Sequence, residues 1–198
     1  FLARQLTTKN AEIREFILHC FKLIGAPETP GVEAALLEII RNDASPYARE
    51  LALVNLRSSF GATAKSLAAI RDCINGKDEV VQVRAASALA ALLSRPDAPP
   101  EQRERALLEL TQFFRQYGDG CQRSDRDWGW REIGHGILNF GDDGRAVLNT
   151  LLADRQDVRL ATLAWYVLYL PQGDKLESIT ADQDAKAHRH HPGIDFAQ

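Results

Sequence analysis

The sequence predicts an all-α fold built as a stack of helix pairs, and three observations predict it. Four segments align on one arginine and share an apolar face. A second set of amphipathic segments alternates with them, each bounded by Pro, Gly, Asn or Asp. Strand signals are nearly absent, because the one β-like run, "LAWYVLYL" (163–170), falls inside an aligned segment. No single pair can bury its apolar face alone, so stacked neighbours must share one core.

In chain order, "KNAEIREFILHCFKLIG" (9–25) offers Ile13, Phe16, Ile17, Cys20 and Phe21 as a buried face. Phe1, Leu2 and Leu6 before it read as the end of a preceding helix, and no methionine opens the chain, so the sequence is expected to be a fragment of a longer array. "TPGVEAALLEIIRND" (29–43) is the first of the second set. A helix at 45–59 follows, carrying "SPYARELALVNL" on Arg49, with Ser45-Pro46 as its start signal. "ATAKSLAAIRDCING" (62–76) leads to 78–94, where Asp78 precedes "VVQVRAASALAAL" on Arg84. "PPEQRERALLELTQFFRQYG" (99–118) ends in a glycine-containing stretch, "QYGDGCQRSDRDWG" (116–129), expected to be a long loop and a candidate for a specific contact. The last three helices are 127–140 ("DWGWREIGHGIL" on Arg131, capped by Asp127), 142–154 and 156–170 ("RQDVRLATLAWYVL" on Arg159, with Asp154 as start signal). Ser and Asp satisfy the orphan amides of a helix start, and proline suits its first position. Residues 171–198 form a polar tail or the start of a following segment.

The aligned columns give a shared helix face. Before the arginine stand Ala48, Val83, Trp130 and Val158; two places after it stand Leu51, Ala86, Ile133 and Ala161. Ala52, Ser87, Gly134 and Thr162, all small, follow at three places, where they let a neighbouring helix approach. Within "SDRDWGWREIGHG" (124–136), Trp130 is therefore expected in the core, Trp128 partly exposed, and His135 half-buried and structural.

"DEVVQVRAASALAAL" and "DRQDVRLATLAWYVL" resemble HEAT repeats, and the resemblance covers residues 9–170. It implies a right-handed α-α superhelix, a solenoid of about four to five helix pairs, armadillo-like in its winding. It further implies that the second helices (29–43, 62–76, 99–118, 142–154) line a concave side and that Arg41, Arg71, Arg105 and Arg115 meet a protein or peptide partner; Trp128, at the mouth of the long loop and without a structural duty, is a further candidate contact. The expected function is a non-catalytic binding or scaffolding module; the alternatives are an accessory or spacer domain of an enzyme and a helical-repeat DNA glycosylase. Iron hydroxylases on this frame need paired His-Glu dipeptides, and the sequence has none.

Charge and motifs narrow the chemistry. The 198 residues carry a net charge of −3, with 18 Arg and 6 Lys, so no global basic field recruits nucleic acid. The glycosylase alternative would draft Trp128, Trp130, Trp165 and Asp127. No run approaches a membrane span. Phosphate loops, GxSxG and CxxC are missing, and Cys20, Cys73 and Cys121 are read as free thiols, so no cofactor is expected. His188, His190 and His191, near Asp195, are weak zinc candidates in the polar tail.

Overall fold

The computed structural model describes residues 2–120 and 128–169, with side chains for 4–117 and 129–169. Every element among these residues is a helix: α1 (Leu2–Leu6), α2 (Ala11–Ile24), α3 (Pro30–Asn42), α4 (Pro46–Ser59), α5 (Ala64–Ile74), α6 (Glu79–Leu93), α7 (Pro100–Gly120), α8 (Trp128–Leu138), α9 (Asp142–Leu152) and α10 (Val158–Tyr169). The β-like run 163–169 lies in α10 and is helical.

Local chemistry sets the starts. Asn10 Oδ1 accepts from the amides of Glu12 and Ile13, and Thr29, Ser45, Thr63 and Asp78 each accept from the amide three residues on. Each such cap contributes about 1 kcal/mol. The start of α10 differs from expectation: Asp157, not Asp154, caps it by accepting from the Leu160 amide at 2.9 Å. Asp154 lies too far upstream and instead turns the chain by accepting from the Gln156 amide.

Alternate helices touch. α2, α4, α6 and α8 make one row in succession, and α1, α3 and α5 make another, each packed against its neighbour in sequence. α6 contacts α4, α5, α7 and α8, and its residues Val81, Val83, Ala85, Ala86, Ala88, Leu89, Ala90, Leu92 and Leu93 are buried. A helix apolar on nearly all sides belongs in the middle of a core. Ala48, Val83, Trp130, Leu51, Ala86, Ile133 and Ala161 are buried as the alignment requires. Val158 is not: it is exposed because it is the first residue of α10, whereas Ala48, Val83 and Trp130 lie two or more residues inside their helices.

α8 meets α10 through Gly134, where an added Cβ would overlap Val167, and through Trp130, whose ring lies 5.9 Å from that of Tyr166. At the other end, Arg14 of α2 grips Asp43 with Nε at 2.7 Å and Nη2 at 3.1 Å, tying α2 to the turn between α3 and α4. The buried face of α2 is Ile17, Leu18 and Phe21; Ile13 and Phe16, expected in the core, are exposed. α2 stands at the end of its row, so α4 covers only one of its two apolar stripes.

Residues 116–120, expected to open a long loop, continue α7. Tyr117 accounts for this: its hydroxyl donates to Glu79 at 2.7 Å and its ring packs 5.9 Å from Phe113. The tie to α6 and the i,i+4 ring contact within α7 together outweigh the poor helix propensity of two glycines.

Candidate functional site: an arginine-paired cleft

Position 71 falls in the last turn of α5, and positions 105, 109, 112 and 116 form one stripe of α7 at spacings of four, three and four. Where α5, α6 and α7 meet, these residues line a cleft of about 420 Å³, with Gln82 of α6 also on its wall. The cleft's charge centres on Glu109. Arg71 Nε donates to both carboxylate oxygens at 3.1 and 2.9 Å, and Arg105 Nε donates to one of them at 2.8 Å. Two guanidiniums from different helices therefore share one carboxylate, and the three groups sum to one positive charge.

The surroundings hold this arrangement in place. Gln82 Nε2 donates to the carbonyls of Ile74 and Gly76 at 3.0 and 2.9 Å, closing the C-terminal end of α5. Asn75 Nδ2 donates to the Arg71 carbonyl at 3.0 Å. Phe113 is buried beside Glu109, giving the cleft one apolar wall with Ile74. Arg71 is half-buried, and its Nη2 is shielded from water without a hydrogen-bond acceptor on the protein. Arg105 is 67% exposed and borders solvent.

The side of α4, α6 and α8 carries a different pattern. Arg84 of α6 pairs with Glu50 of α4 at 2.8 Å and with Glu132 of α8, and Arg57 donates to Ser87 and lies 3.9 Å from Glu132. These two arginines and two glutamates neutralise one another across three helices.

The sequence-selected residues separate accordingly. Arg71 and Arg105 meet in the cleft; Arg41 is exposed at the end of α3, and Arg115 is exposed on α7 away from the cleft lining. The Trp128 side chain, Asp127, Cys121, His188, His190, His191 and Asp195 lie outside the described residues. Of the repeat arginines, Arg49 donates to the Ile40 carbonyl at 2.9 Å, Arg84 forms the ion pairs above, Arg131 sits 5.9 Å from the Trp130 ring centroid, and Arg159 is half-buried. Trp165 stands edge-on to Tyr166 at 5.4 Å.

His135 is half-buried, and burial followed by the neighbouring Arg131 charge lowers its pKa below the ordinary value. Burial pushes the Cys73 thiol up against the opposing influence of Arg49, which keeps it an inert core group. Among the described residues no cluster of His, Cys, Asp or Glu has metal-binding geometry, and no helix is long and apolar enough to cross a membrane.

Sequence reasoning missed Glu109 and Gln82, the residues that organise the cleft. The Arg105–Glu109 spacing of four was a readable signal; the Arg71–Glu109 pairing, 38 residues apart, had none. In comparisons with known proteins, no family model matches the chain and no curated protein matches it.

Proposed function

We propose that the chain is a non-catalytic interaction module, a HEAT-like solenoid that binds a protein or peptide along the side formed by α3, α5, α7 and α9. The observation that carries this reading is the convergence of Arg71 and Arg105 on a single carboxylate at an open cleft. Surface guanidiniums left with donors to give are recognition groups. The contrast with α4, α6 and α8 supports the same choice, because there Arg57 and Arg84 are matched one for one by Glu50 and Glu132. The contact of α2, α4, α6 and α8 in succession supports the repeat reading, since repeated pairs pack in this way on their neighbours.

The test is selection of a displayed random-peptide library on the purified protein. Peptides are expected whose binding is lost in Arg71→Glu and Arg105→Glu and retained in Glu50→Gln. Recovery of no binding peptide, or of peptides insensitive to both arginine reversals, overturns the assignment.

A further inference from the structure

We infer that the cleft between α5 and α7 is an anchor for one acidic side chain of a bound peptide, an aspartate or glutamate carboxylate held by Arg71 and Arg105. This rests on the interaction-module reading and adds the chemistry of the partner. Both arginines meet Glu109 through Nε. Their Nη amino groups, which complete the fork that grips a carboxylate, are not used by that contact. Arg71 Nη2 is shielded from solvent and has no acceptor on the protein, so the guanidinium an incoming carboxylate meets first is that of the exposed Arg105. Glu109 thus occupies the Nε side of both guanidiniums and competes for them with any incoming carboxylate.

Charge selects the ligand. Two arginines and one glutamate leave a single positive charge, which a carboxylate balances and a phosphate dianion exceeds, with the Glu109 carboxylate there to repel the surplus. The exposed amides of Gln112 and Gln116 offer neutral donors along the same stripe of α7. Ile74 and Phe113 give the methylenes of an acidic residue an apolar wall. The chain as a whole is acidic, at −3, so affinity for an acidic peptide would come from a local site and not from the global field.

Fluorescence anisotropy with fluorescein-labelled hexaglutamate amide and hexaglutamine amide tests the assignment. Hexaglutamate is expected to bind about tenfold more tightly than hexaglutamine, a difference that one charge-assisted fork can supply. Arg71→Gln and Arg105→Gln should each weaken hexaglutamate about fivefold, on the same ground. Arg105 is exposed, so its variant remains informative if the Arg71 variant is poorly folded. Glu109→Gln removes the resident competitor and should tighten binding, an outcome that a purely structural role for Glu109 would not give. Equal binding of the two probes, no loss in Arg105→Gln, or weaker binding in Glu109→Gln overturns the anchor. Library peptides that depend on α5 and α7 but lack acidic residues overturn the anchor and leave the module reading standing; failure to select any peptide removes the module reading itself.

Discussion

Gly134 shows what a single position in a helix face can decide. A methyl group there would overlap Cγ2 of Val167 and lie 3.0 Å from its Cγ1, so α8 and α10 approach only because the residue is glycine. Gly134→Ala should destabilise the protein by about 1–3 kcal/mol through overpacking. Val167→Ala in the same chain should recover part of that loss, giving a double variant more stable than the two single losses predict. Urea unfolding of the four proteins measures this, and strict additivity would show that the two side chains do not meet. The small column that includes Gly134 was legible because smallness recurs in sequence. The duty of the arginine beside it was not: Arg49 closes the end of α3, while Arg84 bridges Glu50 and Glu132. The same residue type in the same register takes whichever acceptor the next helix presents.

At the scale of elements, the helices could be read because capping and periodicity are local. Thr29-Pro30, Ser45-Pro46 and Asp78 each mark a start that the backbone then uses. Where long-range contacts rule, reading failed. α2 has two apolar stripes, and the packing of α1 and α4 decides that Ile17 and Phe21 are covered while Ile13 and Phe16 are not. α7 runs past its expected end because Tyr117 is tied to Glu79. Tyr117→Phe removes that hydrogen bond, worth about 1 kcal/mol, so the amides of residues 118–120 should exchange about fivefold faster. Unchanged exchange there, measured by NMR, would assign the extension of α7 to its Phe113 ring contact instead. The cleft follows the same rule, since Arg71 and Arg105 were visible as surface cations and their meeting at Glu109 was not.

Across the whole molecule, two groups from opposite ends should couple stability to pH in separate windows. Near the beginning, burial raises the Asp43 pKa, but hydrogen bonds from Arg14 and the Ser45 amide, with the charges of Arg14 and Arg49, more than offset this. Its pKa is lowered from 3.8, so its contribution is full above that value and is lost as pH falls through the folded pKa. Toward the other end, the His135 pKa is lowered from 6.5 by burial first and Arg131 second. The unfolded chain therefore takes up this proton more readily, and stability declines as pH falls from 6.5 toward the folded pKa. Both effects weaken the fold in acid, but different substitutions remove them. His135→Gln, which cannot titrate, should flatten the stability profile as pH falls below 6.5 while keeping the loss as pH falls below 3.8. Asp43→Asn should do the reverse and, by leaving Arg14 half-buried without its carboxylate, lower stability at neutral pH by about 3 kcal/mol. Urea midpoints across the pH range separate the two. If His135→Gln retains the wild-type slope near pH 6, the acid sensitivity in that window arises elsewhere, and protonation of His135 does not oppose the packing of α8.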